Sequence, residues 1–156
     1  MNLEKTLANY NLTMPQPPVK GGLYEQAVCF GEKFIYLSGC GPNFAGDTAK
    51  VYAGKLGKDY TIEEGQEAAR RCALNLLAVL QKKLGDLIKI KRIVKLTVFV
   101  ACADDFYDQP KVANGASQLL IDIFGEKAGT GSRSAVGANA LPSDIPVEIE
   151  MLVEIF

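Results

Sequence analysis

The run GSRSAVGANALPSDIPVEIE, Gly131 to Glu150, sets one arginine, Arg133, among small residues and closes on two glutamates, Glu148 and Glu150, in a strand-like stretch. A guanidinium offers a planar fork of N–H donors that fits a carboxylate through two parallel bonds. A carboxylate within reach of a water can act as a general base. On spacing alone, the better description is a surface ion pair at Arg133, worth at most ~1 kcal/mol, and a solvated strand face for the glutamates. The chain has no histidine, which removes Ser-His-Asp and Cys-His catalysis, two-histidine zinc chemistry and histidine acid-base ribonucleolysis. Any base must be a carboxylate, lysine, tyrosine, thiolate or water.

The other reactive residues are sparse. Cys29, Cys40, Cys72 and Cys102 are spread singly with no C-x-x-C pair, so they read as reduced and mostly buried thiols, and no metal site is expected. Cys40, in SGCGPN, is the thiol placed where a cleft could reach it, although a nucleophilic role is not expected. GTGSR, Gly129 to Arg133, lacks the G-x-x-x-x-G-K-[ST] pattern of a phosphate loop and reads as a turn feeding a strand. Seventeen Lys+Arg against 18 Asp+Glu give no reason to expect nucleic acid or an anionic membrane as partner.

These residues need a frame to position them. At 156 residues the chain suits a single domain over 1–156, with 1–22 as an N-terminal extension, and about 70% of the unfolded surface of such a chain can be buried. No apolar run reaches the ~20 residues of a membrane span, and a cytoplasmic location is the default expectation. Residues 1–22 end in PQPPVKGG and are expected to be an irregular connection. YEQAVCF and KFIYLSG, parted at Gly31 and Glu32, predict a hairpin. A polar loop follows, from Cys40 to about Tyr60. Thr61-Ile62-Glu63-Glu64 predicts a capping box opening a helix that ends at Gly85, with Ala69, Cys72, Ala73, Leu76, Leu80 and Leu84 on one face.

Ile88 to Ala101 predicts a long strand with Val94, Leu96, Val98 and Val100 on one face. A second helix is predicted from Asp108 or Gln109 to Gly125, with Pro110 in its first turn. Asn114 and Gly115 are poor helix formers within it, which points to a ligand contact or to tight packing of Gly115 against the sheet. RSAVG and PVEIEMLVEIF close the chain as strands. The order β-β-α-β-α-β-β predicts an α+β fold in which two helices cover one face of a mixed sheet. The other face carries Lys95, Phe99, Leu152 and Phe156 together, which favours other subunits over water.

GLYEQAV, IYLSGCGPN, VKLTVFVACADDF and RSAVGANALPSDIPVEIE together resemble the Rid family, also called YjgF-type proteins or reactive intermediate deaminases, from about Gly22 to Phe156. The resemblance implies a chorismate-mutase-like fold assembled as a homotrimer, with ligand clefts between subunits and no cofactor. It implies hydrolysis of enamines and imines such as 2-aminoacrylate to 2-oxo acids and ammonia. In that pattern Arg133 grips the substrate carboxylate and Glu148, fifteen positions on, places the attacking water. Tyr24, Ser38, Gly39 and the carbonyl of Ala135 line the pocket, and Glu150 is left as a partner for a neighbouring lysine or arginine. A free imine is close to hydrolysis already, so holding its carboxylate and placing one water suffices, without metal or histidine.

The chain departs from well-known members in four places. Leu23 stands where the family's G-P-Y segment has proline. Ala135 and Gly137 replace the cysteine and glutamate of Ser-Cys-Val-Glu, which predicts a roomier or less acidic pocket. The N-terminal segment and the loop from Asp47 to Asp59 are longer than in short members. Two alternatives accompany the deaminase: a non-catalytic trimer that binds small carboxylates, and an endoribonuclease-type translation inhibitor, against which the missing histidine and basic patch count.

Overall fold

Gly31 (φ 55°) and Glu32 (φ 61°) take the left-handed backbone that reverses the chain between β1 (Ala27–Phe30) and β2 (Phe34–Cys40). A computed structural model describes residues 1–156. The hairpin falls where the sequence puts it, but β1 is shorter: Tyr24, Glu25 and Gln26 lie outside the strand. The helix α2 (Ile62–Leu84) opens on the expected capping box, with Thr61 N–H donating to Glu64 Oε2 at 2.8 Å and Glu64 N–H to Thr61 Oγ1 at 3.3 Å. Gly85, at φ 81°, ends it. The strand β3 (Ile90–Ala101), the helices α3 (Gln109–Phe124) and α4 (Glu126–Gly129), and the strands β4 (Ser132–Ala138) and β5 (Val147–Ile155) complete the order.

The sheet runs β1-β2-β5-β3-β4. All pairs are antiparallel except β3 and β4, which α3 joins by the crossover that parallel neighbours need. Both long helices lie on one face, where Leu76, Leu80, Leu119 and Ile123 meet Val98, Val147, Ile149 and Met151, all fully buried. β4 is left as a free edge. On the other face Val28, Phe30, Tyr36 and Val136 are each about half exposed, at 51%, 50%, 48% and 45%.

Three local expectations are corrected. β3 begins at Ile90, after a 3-10 turn over Leu87–Lys89, and a register shift against β5 between Ile93 and Lys95 puts Ile93 in the core in place of Val94. Residues 1–22 are not wholly irregular, because α1 (Leu3–Asn9) docks on α3. Thr6 Oγ1 donates to the Asp122 carbonyl at 3.1 Å and Tyr10 Oη to Asp122 Oδ2 at 2.7 Å. Gly115 packs against α2 rather than the sheet, since a Cβ there would lie 2.0 Å from the Gln66 carbonyl oxygen. At Gly137 a Cβ would stand 3.0 Å from Gln109 Nε2 and 3.2 Å from Cys102 Sγ, and these three residues help to line a cavity of about 250 Å³, apart from the one beside Glu148.

The loop between β2 and α2 is tied to α2 by two buried polar residues. Arg71 donates from Nε to the Pro42 carbonyl at 2.9 Å and from Nη2 to Asp47 Oδ2 at 3.0 Å, with its guanidinium 3.7 Å from the Phe44 ring centroid. Asn75 Nδ2 donates to the carbonyls of Gly41 and Asn43 at 2.9 and 3.0 Å. Asn43 in turn exchanges hydrogen bonds with both backbone groups of Tyr52. The Arg71 hydrogen bond holds the Asp47 carboxyl below the usual carboxylate range. No helix is long and apolar enough to cross a membrane.

Candidate functional site

β2 slips out of register with β5 between Leu37 and Cys40, and the slip lifts Ser38 and Gly39 out of the ladder. Gly39 then passes directly against Glu148 of β5, where a Cβ would stand 2.0 Å from Glu148 Oε1. Only glycine lets the backbone lie there. Ser38 fastens the preceding segment, with its N–H donating to the Gln26 carbonyl at 3.0 Å and its hydroxyl to the Glu25 carbonyl at 2.7 Å. Gln26 Nε2 reaches back to the Pro18 carbonyl at 2.8 Å. The N-terminal segment is thereby bent over the end of β2.

These ties enclose a cavity of about 570 Å³ whose lining includes Tyr24, Ser38, Gly39, Cys40, Asn43 and Glu148. The Tyr24 hydroxyl accepts from Gly21 N–H at 3.1 Å, so its own hydrogen stays available to a ligand. Ser143 (φ 58°) and Asp144 (φ 57°) turn in the left-handed region before β5, and Ser143 borders the cavity. The Asp144 carbonyl accepts from Gly54 N–H at 2.7 Å, which ties this turn to the long loop.

Burial first, and the charge of Glu150 second, raise the Glu148 carboxyl above the usual carboxylate range. Burial, reinforced by Glu148, pushes the Cys40 thiol up to about 12. A thiol so placed stays protonated at neutral pH, as the expectation against a Cys40 nucleophile requires. Glu150 does not take the cationic partner expected of it. Its Oε2 accepts from the Tyr36 hydroxyl at 3.1 Å, and the glutamate that gathers cations is Glu154, bound to Lys91 at 2.7 Å and Arg92 at 2.6 Å. The extended backbone of β5 puts Glu148 and Glu150 on the open face, and the cations at its far end reach only Glu154.

Arg133 lies elsewhere in the chain. β4 pairs Arg133 with Leu96 and Ala135 with Val98, both core residues of β3, so Arg133 and Ala135 point to the helix side of the free edge. Ala135 packs against the core. The Arg133 guanidinium rests on α3, Nη1 donating to Asn114 Oδ1 at 2.9 Å and Ser117 Oγ at 3.1 Å, and Nη2 to the Pro110 carbonyl at 3.3 Å. Glu148 sits two strands away, a lateral offset of ~10 Å, on the opposite face. The single chain therefore brings Tyr24, Ser38, Gly39 and Glu148 together and leaves Arg133 and Ala135 apart. Sequence reasoning missed Ser117, Asn43 and the role of Asn114; an amide in mid-helix was the one visible signal.

A five-stranded mixed sheet in this order, with α2 and α3 on one face, is the chorismate-mutase-like α+β fold. Residues 4–155 match the family described as "YjgF/chorismate_mutase-like, putative endoribonuclease", and the chain belongs to that family. It is 40% identical to Protein TCP17 of Trypanosoma cruzi over 149 residues, covering 96% of this chain and 91% of that one. The structure of Atu1372 from Agrobacterium tumefaciens is similar at 38% identity and a TM-score of 0.88, over 98% of this chain and 92% of that one. RidA from the Antarctic bacterium Psychrobacter sp. PAMC 21119 is similar at 25% identity and a TM-score of 0.60, over 90% and 94%.

Proposed function

We propose that the chain is a hydrolase of reactive enamines and imines derived from amino acids, releasing 2-oxo acids and ammonia. The observation that carries this reading is Glu148: a half-buried carboxylate with a raised pKa, seated against the Gly39 backbone at the wall of a cavity fit for a small molecule. In its ionised form it takes a proton from one water as that water adds to the imine carbon. Glu148 returns that proton to the nitrogen, and as the C–N bond of the carbinolamine breaks, its hydroxyl loses a proton to the departing ammonia and becomes the carbonyl; an enamine first tautomerises to the imine. The Tyr24 hydroxyl and the Ser38–Gly39 backbone orient the substrate.

The carboxylate clamp is Arg133, supplied by a second copy of the chain. Its place on the free edge of β4, away from the Glu148 cavity, supports a cleft shared between copies, and the half-exposed Val28, Phe30, Tyr36 and Val136 support a trimer built on the open sheet face. The test is a panel of imines made in situ by an amino-acid oxidase, 2-aminoacrylate included, with 2-oxo-acid release followed over the uncatalysed rate. Acceleration lost in Glu148→Gln supports the reading. Pyruvate binding without turnover of any imine would make the chain a carboxylate binder instead, and RNA cleavage that survives purification and is lost in Arg133→Ala would favour the ribonuclease reading.

A further inference from the structure

Of the chain's four arginines, Arg71 and Arg92 pair with carboxylates and Arg70 lies 4.3 Å from the Tyr10 ring centroid. Arg133 is the one whose hydrogen bonds all go to neutral acceptors. Asn114 and Ser117, three positions apart on α3, share a helix face and meet the same nitrogen, Nη1. Pro110, one turn earlier, takes a hydrogen of Nη2. A guanidinium has five N–H donors. Nη1 spends both of its own and Nη2 one, which leaves Nε–H and a single Nη2–H. Nε and Nη2 share one edge of the fork.

We propose that Asn114 and Ser117 are positioning residues of the Arg133 clamp. They fix the guanidinium plane so that its Nε/Nη2 edge meets the carboxylate of the ligand, and their neutrality leaves the positive charge for that ligand. This rests on the reading of Arg133 given above. It also explains why a poor helix former occupies position 114: an aspartate there would accept the same hydrogen bond, more strongly, and would cancel the charge that an anionic substrate requires.

Calorimetry with pyruvate on the assembled protein tests this, with Arg133→Ala as reference. Asn114→Asp is nearly isosteric and strengthens the bond to Arg133, so the thermal midpoint should hold while pyruvate affinity at neutral pH falls roughly ten-fold or more. Ser117→Ala should weaken binding several-fold, and Ser117→Thr, which keeps the hydroxyl, should bind as the parent does. A merely structural role would lower the thermal midpoint and leave the affinity of the folded fraction intact. Should Asn114→Asp fail to fold, the two Ser117 variants decide alone. Parent-like affinity in Asn114→Asp and Ser117→Ala, with Arg133→Ala unable to bind, overturns the positioning role and spares the clamp. Parent-like affinity in Arg133→Ala removes the clamp, and the positioning role with it.

Discussion

Glu148 and Glu150 differ by one turn of the pleat, yet their surroundings assign them different work. Glu148 faces the cavity with a raised pKa, and Glu150 is held by a phenol. A general base works when ionised, so turnover should rise with pH through the Glu148 pKa, and the acid limb should lie above the usual carboxylate range. Glu148→Gln should erase that limb and lower turnover ~10²-fold with pyruvate binding kept. Glu150→Gln should keep neutral turnover within a few-fold and move the limb to lower pH, because the second cause of the raised pKa is gone. The sign for stability is opposite: a carboxyl whose folded pKa is raised binds its proton better folded than unfolded, so it gives up stability once ionised. Glu148→Gln should therefore raise the thermal midpoint at neutral pH. At Arg133 the matching variant is Lys, which keeps the charge and loses the fork; calorimetry should show most pyruvate binding lost.

Legibility followed how local each cause is. The cap at Thr61 and Glu64 and the stop at Gly85 are decided within a few residues, and α2 formed as predicted. The phase of β3 is set by its slip against β5, sixty residues on, which no pattern within Ile88–Ala101 contains. The short α1 depends on Asp122 of α3 in the same way. Within the site, the family resemblance named Tyr24, Ser38, Gly39 and Glu148, and all four line one cavity. It could not tell that Arg133 turns toward α3, because the parallel pairing with β3 decides that. Gly115 shows packing overruling propensity. Alanine suits a helix better by about 1 kcal/mol, but the Cβ would meet the Gln66 carbonyl at 2.0 Å and force α2 from α3. Gly115→Ala should thus destabilise by about 1–3 kcal/mol net, measured by denaturant titration.

At the scale of the whole molecule, a site split between copies makes a prediction that a site within one chain cannot. Arg133→Ala and Glu148→Gln should each be inactive alone. Unfolded together in equal amounts and refolded, they should regain activity, since about one cleft in four pairs an intact Arg133 with an intact Glu148 under random assembly. Light scattering should give three times the chain mass. A stable monomer at micromolar concentration, or no recovery on mixing, would rule out the shared cleft.

The anchoring of the β2–α2 loop has a further consequence, for the exchange of its amide hydrogens. A stretch of about twenty residues without strand or long helix would ordinarily open by itself and exchange fast. Here Arg71 and Asn75 hold Gly41, Pro42 and Asn43, and the Tyr52 N–H is capped at 2.7 Å by Asn43 Oδ1. To bare that one hydrogen, the chain must strip an arginine from Phe44 and an asparagine from two carbonyls. Tyr52 should accordingly exchange on the slow clock of α2, while Gly46, bound to neither, exchanges at the rate of open coil.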